Sequence, residues 1–231
     1  MSLVQATRNQ KPETMDQHRV AAFGGTFDPI HNGHVEIARA VVSEFRLDRL
    51  LLIPAHRPPH KRSQGITDAY HRYAMSVLAT LDEPKTAVST IELESPDRPY
   101  TFETIERLKG KLGPGTELFF VAGADSFEEI NTWREPERLM TSTNWIVVTR
   151  PGHSIASSHL DARFQAAIVE QDGAQSAQMS PDEYHIYLTR CVNMDISSTE
   201  IRRMVRDGES IEAHVPARVA EYIARYELYR D

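Results

Sequence analysis

Short apolar runs alternate along the chain with stretches of helical spacing. RVAAF (19–23), RLLLIPA (49–55), ELFFVAG (117–123), NWIVVTR (144–150) and HIYLTRCV (185–192) read as buried strands. Gly24-Gly25, Pro54, Gly123 and Pro151-Gly152 close the first four. TAVSTIEL (86–93) alternates in part and reads as another strand. From His34 the apolar positions Val35, Ala38, Val41, Val42 and Phe45 follow a helix, as do Tyr70, Tyr73, Ala74, Val77 and Leu78 within 69–80. TFETIERLKGKL (101–112) opens with Thr101 as its cap, although Thr104 stands where a full capping box wants Glu or Gln. STEIRRMVRDG (198–208) stops at Gly208, and PARVAEYIARYELY (216–229) has Pro216 in its first turn. Strands alternating with helices predict an α/β fold: a Rossmann-like, doubly wound, mostly parallel sheet with helices on both faces. Ligands of such sheets bind outside the carboxyl ends of the strands, where strand order reverses. Residues 152–183 are expected to hold a surface helix and then a loop. With no convincing linker, 19–231 is expected to form a single domain.

Composition adds limits. A chain of 231 residues can bury a substantial core. No apolar run approaches the ~18 residues of a membrane span. Residues 1–18 are polar, lack the apolar centre of a signal peptide, and are expected to be a disordered leader. The lone cysteine, Cys191, excludes an internal disulfide and fits a reducing cytoplasm; within a strand it reads as a core thiol and not as a nucleophile. A net charge of −7 argues against non-specific nucleic-acid binding. An anionic ligand would need locally concentrated positive charge. HRPPHKR (56–62) offers such a cluster, stiffened by Pro58 and Pro59, and reads either as a loop over polyphosphate or as an ordinary solvated basic loop.

The stretch GGTFDPIHNGHVEIA (24–38) sits where the first strand hands over to the first helix. Gly24 and Gly25 let backbone N–H groups approach a bulky anion. Asp28-Pro29 and Asn32-Gly33 are turn formers. The helix begins near Gly33-His34, so its unpaired N–H groups face the same cavity as His31 and His34. Glycine backbone, helix N-terminus and two imidazole donors describe a phosphate site. A zinc site would need a third protein ligand that no nearby residue clearly supplies, and the dinucleotide fingerprint G-x-G-x-x-G is absent. A tight turn with surface histidines is the plain alternative. Further on, ISSTEIR (196–202) offers the hydroxyls of Ser197, Ser198 and Thr199 at a helix start, with Arg202 one turn later; by itself it could be a helix cap beside a solvated arginine.

GGTFDPIHNGH resembles the signature of the nucleotidyltransferases with the HxGH motif, and ISSTEIR resembles their C-terminal ISSTxxR phosphate motif. IPAHRPPHKR (53–62), PYTFETI (99–105), VAGADSF (121–127), NTWREPERL (131–139) and VTRPGH (148–153) are similar to bacterial nicotinate-nucleotide adenylyltransferases. The resemblance runs from about residue 19 to 229 and is weak over 154–183. It implies a cytoplasmic enzyme of NAD biosynthesis that transfers the adenylyl group of ATP to nicotinate mononucleotide, with no nucleic-acid or membrane partner. His31, His34 and Arg202 would be catalytic. Gly24, Gly25, Thr26, Phe27, Asp125, Ser197, Ser198 and Thr199 would join them in binding ATP. Lys61, Thr101, Trp133 and Arg150 would hold the pyridine nucleotide, although Thr101 also reads as a cap, Trp133 as a core aromatic and Arg150 as part of a surface ion pair. Mg²⁺ is expected to ride on the phosphates, with no carboxylate cage of its own. Three alternatives stand beside this reading. One is a phosphopantetheine enzyme, although those are typically shorter and often carry threonine at the place of His31. The others are a nicotinamide mononucleotide enzyme and a non-catalytic nucleotide-binding module.

Overall fold

The computed structural model describes residues 18–56, 65–95, 99–149, 160–170, 184–190 and 196–230. Among these, seven strands form one sheet: β1 (His18–Gly25), β2 (Arg49–Pro54), β3 (Thr86–Val88), β4 (Thr116–Gly123), β5 (Asn144–Val148), β6 (Ile168–Glu170) and β7 (Ile186–Thr189). The spatial order is β3-β2-β1-β4-β5-β7-β6 and every pair is parallel. The chain winds from β1 outward to β3, then returns to build the other half from β4. Strand order therefore reverses between β1 and β4. The pairing of β1 with β2 runs to Gly25 opposite Pro54, whereas its pairing with β4 ends at Phe23 opposite Val121. The two central strands part there, which opens a crevice at their carboxyl ends.

Period-2 alternation divides the strands between two cores. Ala21, Phe23, Leu50, Leu52, Phe119, Val121, Ile146 and Tyr187 point to one face. They meet α1 (Asn32–Glu44), α2 (Ala69–Ala79), α7 (Ser198–Arg206) and α8 (Ala217–Arg225) through Val35, Ala38, Met75, Ile201, Val219 and Ile223. Val20, Ala22, Leu118, Phe120, Trp145 and Val147 point to the other face. There they meet α3 (Thr101–Leu112), α4 (Ala124–Glu128), α5 (Pro136–Ser142) and α6 (Ala162–Ala166) through Ile105, Leu108, Phe127, Leu139 and Phe164. The expected doubly wound sheet with helices on both faces is the observed one.

Several boundaries differ from expectation, each for a local reason. The strand expected over 86–93 ends at Val88, because Ser89 turns its hydroxyl back to accept the Ile91 N–H at 3.3 Å and residues 91–94 form a turn. The first turn of α3 is capped one residue earlier than expected: Tyr100 is the N-cap, and the Glu103 carboxylate accepts its N–H at 2.8 Å. Thr101 is thus the first helical residue and not the cap. Helix α1 starts at Asn32, slightly before the expected Gly33-His34, with His31 as N-cap. Pro216 is the N-cap of α8, which ends at Arg225; Glu227 and Tyr229 then take positive φ as the chain turns away. Residues 162–166 form the expected short helix, followed by an unexpected edge strand, β6. The largest correction concerns α2. Its buried residues are Ala69, Arg72, Met75, Ser76 and Ala79, while Tyr70 is 69% exposed. Residues 1–17, the leader apart from His18, lie outside the described residues, as does Cys191.

Phe119 lies at the centre of the sheet, fully buried, with Phe45 and Tyr187 at ring distances of 6.1 and 6.4 Å. Phe119→Ala is expected to cost about 3–5 kcal/mol of unfolding free energy. Urea denaturation checks this; a loss below about 1 kcal/mol would mean the sheet collapses around the missing ring.

Candidate active site

The crevice is floored by the turn from Gly25 to His31. This backbone has left the sheet and not yet entered a helix. Phe27 takes φ 50°, a left-handed conformation seldom used by non-glycine residues, and the Asp28–Pro29 peptide is cis. Aromatic packing fixes the turn: the buried Phe27 ring stands edge-on to Phe23 at 5.6 Å and to His34 at 5.1 Å. A side chain on Gly25 would place its Cβ 2.7 Å from the Phe27 ring, and one on Gly24 would reach Phe120 at 3.2 Å. Both glycines thus make room for rings, a need apart from any approach of backbone to an anion.

His31 is buried at the start of α1, and its ring stacks on His34 at 3.7 Å with an interplanar angle of 28°. The His31 backbone N–H donates to His34 Nδ1 at 3.3 Å. An accepting Nδ1 leaves the proton of the neutral His34 ring on Nε2, so the ring is fixed as a donor at that atom. Burial, with a smaller contribution from the adjacent His31, holds the His34 pKa well below the ordinary histidine value.

The second motif meets the first. Ser198 at the start of α7 donates its hydroxyl to Pro29 O at 2.9 Å across 169 residues of sequence. Arg202 Nη1 donates to Asp28 O at 2.7 Å, and Nη2 to Thr199 Oγ1 at 3.3 Å. Ser197 caps α7 by accepting the Glu200 N–H at 3.1 Å. Between the motifs stands Gly33, where a Cβ would meet Ile196 Cγ2 at 3.0 Å and His31 Nδ1 at 3.1 Å. Arg203 faces outward to Glu200, Asp207 and Glu209, whereas its neighbour Arg202 turns to the Asp28 carbonyl.

Three of the remaining expected residues fall on described elements. Asp125 lies exposed in the first turn of α4, beyond the carboxyl end of β4. Trp133 follows a 3₁₀ turn (Ile130–Thr132), half-buried, with its ring edge-on to Phe120 at 6.3 Å and near Trp145 at 6.4 Å. It therefore contributes to the core while keeping part of its surface open. Thr101 is half-buried on α3. Lys61 and Arg150 lie outside the described residues, as does most of the 56–62 cluster. Sequence reading missed Glu92, which accepts the His56 N–H at 3.3 Å and the Thr104 hydroxyl at 3.1 Å, with its pKa raised by burial. It also missed Tyr229, whose hydroxyl donates to Asp28 Oδ1 at 2.8 Å, and the buried Arg72. No residue-type pattern signalled Tyr229. Arg72 was signalled only by the spacing of Arg72, Ser76 and Thr80 along one edge of α2.

Comparison with known proteins gives the family. Residues 22–204 match the family described as cytidylyltransferase-like. A probable nicotinate-nucleotide adenylyltransferase of Thermoanaerobacter sp. is 38% identical over 212 residues, covering 92% of this chain and 94% of the relative. The chain belongs to the nicotinate-nucleotide adenylyltransferase family. A Geobacter metallireducens relative with the same probable name is 38% identical over 214 residues, covering 91% of this chain and 98% of its own length. The nicotinic acid mononucleotide adenylyltransferase of Plasmodium falciparum, solved with NaAD, has the same fold at a TM-score of 0.69 and 20% identity, over 92% of this chain and 97% of that one. Like its family, the chain is an enzyme, a nucleotidyltransferase. No helix among the described residues is long and apolar enough to cross a membrane.

The lowered His34 pKa has a consequence for stability. The unfolded chain takes up this proton near pH 6.5. Below that, and down to the lower folded value, the unfolded state binds more protons, so stability falls as pH falls, by up to about 1.4 kcal/mol per pH unit for this one group. Above pH 6.5 the group contributes no slope. Urea titrations between about pH 7.5 and 5.5 should therefore show a shallower loss for His34→Gln than for wild type. Parallel curves would place the ring in water.

Proposed function

We propose that this chain transfers the adenylyl group of ATP to nicotinate mononucleotide, giving nicotinate adenine dinucleotide and pyrophosphate. The observation that carries the reading is the junction of the two motifs: Ser198 and Arg202 bonded to the carbonyls of the turn that leads into His31 and His34. That junction lies at the crevice where β1 and β4 part. The solved Plasmodium falciparum relatives hold NaAD in one case and APC in another, which supports nucleotide substrates here.

The 5′-phosphate of the mononucleotide is already an anion at neutral pH, so neither a general base nor an enzyme nucleophile is needed. Its oxygen attacks the α-phosphorus; the bond from that phosphorus to the bridging oxygen breaks, and the electron pair leaves with pyrophosphate. The protein must align two repelling anions and stabilise charge on the leaving group. His34 donates from Nε2–H to the α-phosphate region, and His31 donates beside it. The N-terminus of α1 adds partial positive charge, although its Asn32 N–H is already bonded to His214 O at 2.9 Å. Thr199, the backbone N–H of Ser198 and the N–H groups of Arg202 not directed at Asp28 grip the β- and γ-phosphates. Asp125 accepts from ribose hydroxyls. Trp133 stacks its open face on the pyridine ring, with Thr101, Lys61 and Arg150 as further contacts to the mononucleotide.

Among the described residues no group of three or more His, Cys, Asp or Glu side chains could cage a metal ion. Both Asp28 oxygens also have partners, Tyr229 Oη at 2.8 Å and Thr67 N at 3.3 Å. Mg²⁺ would then be held through ATP phosphates and water. When bound, it neutralises phosphate charge.

Pyrophosphate release from ATP and Mg²⁺ is expected with nicotinate mononucleotide. Release only with phosphopantetheine, or only with the nicotinamide nucleotide, would overturn the substrate assignment. His34→Ala should lower kcat about 10²-fold or more, the effect of losing one aligned donor; near wild-type turnover in a folded variant removes the ring from the chemistry. Trp133→Ala should raise KM for the pyridine nucleotide far more than for ATP. Equal rises for the two substrates would argue against stacking.

A further inference from the structure

One buried cation lies outside this account. Arg72, on α2, is 1% exposed. Its Nη1 donates to Thr26 O at 2.7 Å and its Nε to Thr67 O at 2.9 Å. Its Nη2 donates to Ala55 O at 2.6 Å and to His56 O at 3.2 Å. One guanidinium therefore gathers three segments: the turn after β1, the carboxyl end of β2 and the approach to α2. These acceptors are all carbonyls. Asp28, Asp68 and Glu92 offset the charge from a distance, against the larger cost of burial.

A buried arginine is an expensive way to fill space, since an apolar residue of similar size would avoid the desolvation. What it supplies is a planar fork that fixes several carbonyls at once. In a trans peptide the carbonyl and the following N–H point in opposite directions. Holding Thr26 O against Arg72 thus directs the Phe27 N–H away from α2, and Phe27 is the residue with left-handed backbone. The Ala55–His56 peptide behaves in the same way: its carbonyl meets Arg72, and its N–H meets Glu92 at 3.3 Å.

We propose that Arg72 is a positioning residue for adenylyl transfer: by clamping the Thr26, Ala55, His56 and Thr67 carbonyls it holds the Phe27 turn in the conformation that presents its backbone N–H and the histidine pair to the polyphosphate. The proposal rests on the reaction assigned above. Arg72 itself stays beneath the turn.

The test compares wild type, Arg72→Lys and Arg72→Ala in the pyrophosphate-release assay, with melting curves and the Phe27 amide resonance followed alongside. A point ammonium cannot span four carbonyls, so both variants should lose about 10²-fold in kcat, the scale of a misplaced reacting group, with KM for each substrate changed by less than about threefold. Guanidinium ion at millimolar concentration should restore part of the Arg72→Ala turnover, and equal sodium chloride should not. The Phe27 amide resonance should move in Arg72→Lys. A folded variant with kcat within about threefold of wild type, or a loss carried by KM alone, overturns the proposal. Failure of both variants to fold also overturns it, because Arg72 would then serve the fold alone. If wild type releases no pyrophosphate with any acceptor, the reaction assignment fails instead. The Phe27 resonance then decides for the clamp by itself: unmoved in Arg72→Lys, it sinks the clamp too.

Discussion

Backbone that has left a sheet and not entered a helix must find hydrogen-bond partners outside regular structure. In this chain that requirement falls on Thr26, Asp28 and Pro29, and side chains from distant helices meet it. Arg72 takes the Thr26 carbonyl, Arg202 the Asp28 carbonyl, Ser198 the Pro29 carbonyl, and Tyr229 the Asp28 carboxylate. The turn is thus gripped by α2, by α7 and by the segment after α8. Its position fixes His31 at the head of α1, and His31 in turn fixes the His34 ring through one backbone N–H. The rest of the crevice is built around these bonds.

The two imidazoles are paired at the head of α1. They lie face to face, and burial disfavours charging His34. Two imidazolium rings at that distance would repel each other strongly while the crevice is empty. A neutral His34 ring avoids this cost and still donates a hydrogen bond from Nε2. Among the described residues, full positive charge at the turn comes from the guanidinium groups of Arg72 and Arg202, on a chain that carries −7 overall. A negative net charge is compatible with the phosphate site proposed above, because the field that matters is local.

Much of this was legible from residue order. The two motifs, the strand that precedes one and the helix that follows the other, and the reversal of strand order that brings them together all followed from pattern and resemblance. What escaped did so for physical reasons. Hydrophobic periodicity identifies apolar positions and not buried ones, so it chose Tyr70 on α2 where the fold buries Arg72, whose cost is met by carbonyls that no local pattern reveals. Thr101 looked like a cap because threonine often is one; the Glu103 carboxylate instead serves the N–H of Tyr100, a residue with little capping propensity. The strand expected over 86–93 was shortened by serine competing for backbone, a contest that alternation does not register. Tyr229 reaches Asp28 across 201 residues, a separation at which sequence carries no contact information of its own.

The 169 residues between Pro29 and Ser198 also set an order in time. A ribosome adds about 5–20 residues per second, so the turn emerges roughly ten to thirty seconds before the helix that completes it. During that interval the turn lacks the Ser198 and Arg202 contacts that hold it in the finished fold. The turn is complete only when late-made helices dock onto this early-made loop, and any pause in translation between them lengthens the wait of that copy alone.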